Sequence, residues 1–183
     1  GSEMCIRDRY YTDQNACSSP RLVVWLGNNK EKARNIFWSR MNELVESKYD
    51  MKPIQAVDKY TSMCTLAMGR KGVKLISDNN YVVRVEVDAL DSSLMDYKNG
   101  GGYFCEYKAD CLDEIVPILT KQCQTISILG LEKQDVLDIV YKYGVRGVDR
   151  IVLLGQTMGL EFIWDGYKMI ETMSRFVYTG DYR

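Results

Sequence analysis

Short apolar runs and longer stretches of helical periodicity alternate along this chain. Leu22 to Leu26 is an unbroken apolar run of strand length, and Gly27-Asn28-Asn29 breaks it. Ala33, Ile36, Phe37, Met41, Leu44 and Val45 then recur at helical spacing up to about Tyr49, with Asn28 and Glu31 as an N-cap pair. Pro53 suits the first turn of a second helix, whose apolar face is Ala56, Val57, Tyr60 and Cys64. Between Tyr81 and Asp88 the period changes to two. Val83, Val85 and Val87 fall on one face and Arg84, Glu86 and Asp88 on the other, which predicts a strand. Asn99-Gly100-Gly101-Gly102 is a flexible turn, and Tyr103 to Lys108 is the next strand.

From Asp110 onward the predicted order is helix, strand, helix, strand, helix. Asp110 is expected to cap a helix carrying Leu112, Ile115, Val116 and Leu119. Thr125 to Leu129 is a buried strand closed by Gly130. Val136, Leu137, Val140 and Tyr141 mark a helix that Gly144 ends in a left-handed cap. Ile151 to Leu154 is again a buried strand, and Trp164 to Val177 is a final amphipathic helix with Tyr167, Ile170 and Met173 inward. Alternation of this kind predicts an α/β fold, a largely parallel sheet flanked by helices. No internal repeat or linker divides the chain.

Composition changes this picture little. The 183 residues are 46% apolar and 27% charged, enough to build a core and to disfavour disorder. The net charge of -1 supplies no field that would recruit nucleic acid or an anionic membrane. No apolar run is long enough to span a bilayer, and no signal-peptide pattern opens the chain, so a cytoplasmic location is expected. Residues 1–9 differ in character from the rest of the chain. Gly1-Ser2 resembles a cloning scar, and Met4 to Arg9 resembles translated adapter sequence, so Cys5 is given no role. The domain is expected to occupy residues 10–183, with a longer protein's front part missing.

The chain has six cysteines and no histidine. With no export signal and no Cys-x-x-Cys pair, free thiols are expected rather than disulfides, and neither a metal site nor a Cys-His dyad is predicted. Cys17 stands apart, in the polar loop Tyr11 to Arg21 just before the first predicted strand. Amides at a turn there would favour the thiolate and hold a developing oxyanion, and Arg21 would add positive charge. Local chemistry alone favours the plainer reading, an inert half-buried cysteine beside the turn-forming Ser18-Ser19-Pro20. Cys64, Cys105, Cys111 and Cys123 fall on apolar faces or strand ends and are expected to be packing residues.

Three blocks shift that balance: Asp13-Gln14-Asn15-Ala16-Cys17-Ser18-Ser19-Pro20-Arg21; Gln124 to Ile128 followed by Gly147 to Val152; and Gly155-Gln156-Thr157-Met158 followed by Ile163-Trp164-Asp165-Gly166-Tyr167. In this order they resemble the back half of bacterial LuxC-type acyl-CoA reductases, in the aldehyde dehydrogenase superfamily. The resemblance spans most of the chain after Tyr10 and is thinnest over residues 48–98.

The resemblance implies an aldehyde dehydrogenase-like catalytic domain. In it, an acyl group from an acyl-CoA or acyl-protein donor passes to the Cys17 thiolate, and NADPH reduces the thioester to an aldehyde. An acyl-transferring or acyl-activating enzyme is the implied partner, and the full-length protein is implied to be a homo-oligomer. Glu106 could occupy the place of the superfamily's ribose-contacting glutamate, but the surrounding Glu-x-Phe-Gly-Pro pattern is missing, and the residues favour a solvent-facing strand glutamate. Gln156, Thr157 and Trp164 would wall the acyl channel. Otherwise Trp164 is a core aromatic at a helix start and Asp165 a helix N-terminal charge. No Gly-rich dinucleotide fingerprint is present, so this chain alone is expected not to reduce acyl-CoA. Two other readings stand beside this one. A related reductase could take another activated acyl group. Alternatively, a non-catalytic interaction or oligomerisation domain could pair through strands in residues 74–108, with Tyr81 to Asp88 as an exposed edge.

Overall fold

The computed structural model describes residues 10, 13–17, 19–77, 79–97 and 99–180. The predicted leader, residues 1–9, lies outside them. A four-stranded sheet forms the centre. Its strands are β1 (Leu22–Trp25), β2 (Lys74–Ile76), β3 (Val83–Glu86) and β4 (Tyr103–Lys108), in the order β1-β4-β3-β2. β4 runs parallel to both neighbours, with Leu22 opposite Cys105 and Val83 opposite Tyr103, and β2 joins β3 antiparallel. Parallel neighbours need crossovers. Helices α1 (Lys30–Lys48) and α2 (Pro53–Gly69) occupy the first one. A second parallel pair, β5 (Thr125–Ile128) and β6 (Arg150–Leu153), flanks α3 (Lys133–Tyr143). Gly144 closes α3 in the left-handed conformation, φ 59°, as its position predicts.

The pleat of β4 sends Tyr103 and Cys105 to one face and Phe104 and Glu106 to the other. The first face meets Val83, Val85, Leu94, Ile115, Ile118 and Ile139, so β3, α3 and the 3₁₀ turn Leu112–Ile118 share one core. On the second, Phe104 meets Trp25, Trp38, Met41 and Val45 from β1 and α1.

Glu106 is the unexpected member of that second face. It is fully buried rather than solvent-facing. Trp25 Nε1 and Trp38 Nε1 each donate to its Oε2 at 2.7 Å. Arg34 donates through Nε at 2.9 Å and Nη2 at 3.2 Å, and Arg84 Nη1 lies 3.6 Å away. Burial alone would depress the Arg34 guanidinium, but its bond to Glu106 and the charges of Glu106, Glu86 and Glu31 more than reverse this. The carboxylate thus joins β1, α1, β3 and β4 at one point.

Several expectations change. The buried stripe of α1 is Arg34, Trp38, Met41 and Val45, while Ala33 and Ile36 face out. The cause is Glu106, which draws a cation into the interior. The helix starts at Lys30 with Asn29 as N-cap and no side-chain cap bond. On α2, Lys59 and Leu66 are buried, whereas Val57 and Tyr60 point outward. Tyr81 to Asp88 is not an edge, because β2 covers β3 on that side. Asp110 does not cap; its carboxylate pairs with Lys30 at 2.5 Å, and Glu114 accepts the N–H groups of Asp110 and Cys111 instead. Cys111 is exposed.

The predicted last helix is largely a hairpin. β7 (Ile163–Trp164) and β8 (Tyr167–Lys168) pair antiparallel across Asp165 and Gly166, both at positive φ, 49° and 76°. An Asp-Gly pair is the residue choice such a turn favours. Only the five-residue α4 (Met169–Met173) is helical there, and Tyr167, Ile170 and Met173 are exposed rather than inward. Among the described residues, no helix is long and apolar enough to cross a membrane.

Glu106→Gln preserves the side chain's shape but removes the charge facing two guanidinium groups. We expect it to lower the unfolding free energy by about 3–5 kcal/mol, the usual effect of stranding buried charge. Denaturant titration reads this directly. A loss of about 1 kcal/mol or less, the scale of a surface pair, would contradict the hub.

Candidate active site

Cys17 sits exposed on a turn just ahead of β1. Asp13 N–H donates to the Tyr10 carbonyl and Ser19 N–H to the Ala16 carbonyl, both at 3.0 Å. Asp13 and Gln14 hold φ values of 51° and 60°, which non-glycine residues rarely adopt. Two consecutive residues in that region need outside support.

Gln14 supplies most of it. Its side chain has no exposed surface. Nε2 donates to the Pro20 carbonyl at 2.7 Å and to the Tyr103 carbonyl at 2.9 Å, and Oε1 accepts Gly102 N–H at 3.1 Å. One buried amide therefore joins both sides of the Cys17 turn to the start of β4.

The glycine turn is the other half of this contact. Gly101 N–H donates to the Asp13 carbonyl at 2.8 Å. A Cβ on Gly100 would fall 2.4 Å from that carbonyl oxygen, and one on Gly102 would fall 2.1 Å from the Tyr81 carbonyl. Asn99 to Gly102 is thus a close-fitting seat rather than a loose connector. Tyr49 adds a side-chain anchor. Its hydroxyl donates to Asp13 Oδ1 at 2.5 Å and accepts from Gln55 Nε2 at 2.9 Å. Burial, followed by the bond to Asp13, pushes the Tyr49 phenol up to about 12.

The remaining expected site residues lie in two other places. Glu106 is on β4, three residues after Tyr103, with its carboxylate turned to the indoles and guanidiniums already described. Thr157 and Trp164 are brought together by Arg150, at the start of β6. Its guanidinium donates to the carbonyls of Thr157, at 3.1 Å, and Gly159, at 3.0 Å, and lies 4.5 Å from the Trp164 ring centroid. Thr157 is buried, Trp164 half-buried and Gln156 exposed. This unit belongs to the second sheet and its hairpin, whereas Cys17 belongs to the first. Trp164 is a strand residue facing a cation, not an aromatic at a helix start. Arg21 is half-buried and lines a small cavity with Leu94, Met95, Tyr97 and Cys105. Burial pushes the Cys105 thiol up to about 12 and the Cys123 thiol up to about 11, which suits packing residues.

Sequence reasoning assigned no role to Gln14, Tyr49 or Lys59. For Lys59 the signal was available: a lysine one helical turn from the predicted apolar face. Gln14 stands in the Asp13 to Arg21 block that carries the resemblance, but no role was read for it there, because its burial depends on partners up to 89 positions away.

No protein-family model matches the chain, and no curated protein matches it in sequence. Solved structures do match in fold. A protein described as a methylmalonate-semialdehyde dehydrogenase from Sinorhizobium meliloti, solved with NAD, is 16% identical with a TM-score of 0.53. The methylmalonate-semialdehyde dehydrogenase of Oceanimonas doudoroffii is 7% identical with a TM-score of 0.54. Each match covers 84% of this chain but 36% of the other, so this chain spans about a third of their length. Over the matched region the chain has the α/β fold of these dehydrogenase structures, the fold that the sequence resemblance implies.

Gln14→Ala would strand the Gly102 N–H and two carbonyls in the interior. We expect a loss of about 2–3 kcal/mol in denaturant titration, with faster proteolysis around the Cys17 turn. Tyr49 gives a pH signature. Its folded pKa is raised, so its contribution to stability is complete below the ordinary value of 10 and fades as pH climbs toward about 12. The stability gap between wild type and Tyr49→Phe should therefore narrow across that window. A gap constant with pH would remove Tyr49 from the anchor.

Proposed function

We propose that this chain bears the acyl-accepting nucleophile of an acyl-CoA reductase of the LuxC type, with Cys17 as the nucleophile. The observation that carries this is the exposed Cys17 on a turn whose strained backbone is held by the fully buried Gln14. An inert packing cysteine needs no such support. The aldehyde dehydrogenase-like fold and the resemblance around Asp13 to Arg21 support the same reading.

In the proposed step, the Cys17 thiolate attacks the carbonyl carbon of an acyl-CoA thioester. A carbon–sulfur bond forms to Cys17, the bond to the coenzyme breaks, and coenzyme A leaves as its thiolate. The Cys17 backbone N–H would steady the developing oxyanion. The product is an acyl-enzyme thioester, whose carbonyl stays electrophilic because sulfur donates to it weakly.

Reduction of that thioester to an aldehyde by NADPH is what the resemblance attaches to this intermediate. The described residues do not fit the nicotinamide cofactor at the suggested contact. Glu106 has no exposed oxygen, and its carboxylate is engaged by four side chains. The proposal for this chain therefore ends at the acyl-enzyme. The related reductase acting on another activated acyl group shares this step. The exposed apolar run Leu160, Phe162, Tyr167, Ile170, Met173 and Phe176 supports the further proposal that the longer protein is a homo-oligomer.

Labelling with iodoacetamide under limiting conditions tests the nucleophile. Cys111 is also exposed and serves as an internal reference. We expect Cys17 to label at least about tenfold faster, as thiolate-favouring sites do. Incubation with a fatty acyl-CoA should add one acyl mass at Cys17 and release free coenzyme A, and Cys17→Ser should do neither. Equal labelling of Cys17 and Cys111 with no acyl adduct would leave the interaction-domain reading in place.

A further inference from the structure

The buried titratable group that the proposed chemistry does not use is Lys59. It lies in the middle of α2 and has no exposed surface. Its ammonium donates to the carbonyl of Asn80 and to that of Gly101, the latter at 2.6 Å. The Tyr81 carbonyl lies 3.5 Å away and the Met51 sulfur 3.4 Å. Each of these partners is a dipole or a soft acceptor, so the charge is held by backbone oxygen. An interior ammonium is expensive to desolvate, and burial pulls its pKa down to about 8, which leaves it mostly charged at neutral pH.

The carbonyls it collects come from two separate segments. Asn80 and Tyr81 lead into β3, and Gly101 belongs to the seat beneath the Cys17 turn. The two backbone groups of Gly101 serve different partners: its carbonyl takes Lys59, and its N–H holds the Asp13 carbonyl at 2.8 Å. The next amide, Gly102 N–H, holds Gln14 Oε1 at 3.1 Å. Other ionisable groups border this contact. The Tyr10 hydroxyl donates to the same Tyr81 carbonyl at 3.1 Å, and Tyr49 and Asp13 are bonded to each other on the far side of the turn.

We infer that Lys59 is a positioning residue for Cys17: its ammonium fixes the glycine turn, and the glycine turn fixes the strained Asp13-Gln14 backbone that presents the thiol. This rests on the reading of Cys17 as the nucleophile. The anchoring itself is measured without reference to thiol chemistry.

The test uses hydrogen exchange and Cys17 labelling on the whole chain at neutral pH, comparing wild type with Lys59→Met and Lys59→Arg. Charge-assisted hydrogen bonds are strong enough that their loss should speed exchange in residues 13–17 and 99–103 by about tenfold or more. Exchange in α3 should stay at the wild-type rate. The labelling ratio of Cys17 to Cys111 should fall in Lys59→Met. Lys59→Arg, which keeps donors and charge, should recover most of both effects. If Lys59→Met does not fold, Lys59→Gln is read in the same way. Unchanged exchange in both segments would overturn the inference. So would a uniform rise across the molecule, since Lys59 would then serve general stability alone. If wild-type Cys17 labels no faster than Cys111, the nucleophile reading fails, while the exchange pattern still decides whether Lys59 anchors the turn.

Discussion

A single buried carboxylate organises this fold. Glu106 sits in the central strand with no exposed surface and takes hydrogen bonds from two indoles and one guanidinium, with a second guanidinium close by. In an apolar interior such a charge is tolerated only when it is well paired, and the pairing is geometric. Trp25 must come from β1, Arg34 and Trp38 from α1, and Arg84 from β3. A strand slip of one residue would turn Glu106 to the other face, toward Tyr103, Cys105 and Ile115. The hub thus specifies register as well as holding the layers together.

Register matters because the site is built on the same strand. Tyr103 and Gly102, at the start of β4, receive the amide of Gln14, and β4 pairs with β1 directly after the Cys17 turn. Fixing β4 against β1 therefore fixes both ends of the loop that carries the thiol. Stability and presentation of Cys17 are coupled through one strand. Core substitutions on the Phe104 face should be felt at the loop before they are felt in the β5-β6 pair, which bonds to its own partners.

How much of the molecule was legible in the sequence depends on how local each signal is. β1, β4, β5 and β6 were readable because parallel strands appear as short apolar or alternating runs between breakers, although β5 and β6 are half-buried rather than buried, with Leu129 and Leu153 exposed. Gly144 was readable because a helix C-cap is a local backbone requirement. The face of α1 was misread because a periodicity rule places Arg34 outside, and carboxylates far along the chain, Glu86 and Glu106, bring it in. The same blindness hid Gln14, whose partners include a carbonyl 89 positions away. The C-terminal hairpin was a different error. The apolar spacing from Trp164 onward fits a helix, but Asp165-Gly166 is a tight-turn signal, and turn chemistry prevailed over periodicity.

The three polar groups that define this molecule, Glu106, Gln14 and Lys59, share a logic that apolar packing lacks. Hydrophobic burial is non-directional and would accept several placements of the Cys17 loop. A buried amide that must meet two carbonyls and one N–H accepts one. A buried ammonium that must meet backbone oxygens from two segments narrows the choice further. Such groups add little net stability, because desolvation offsets most of what their bonds return. What they contribute is a single geometry, and strained backbone at Asp13 and Gln14 requires one. The absence of side chains at Gly100 and Gly102 belongs to the same design, since a Cβ at either would strike a backbone carbonyl. A chain selected for stability alone would relax the turn and fill the interior with apolar residues. Directional polar burial of this kind holds the turn that carries the exposed Cys17 in one arrangement.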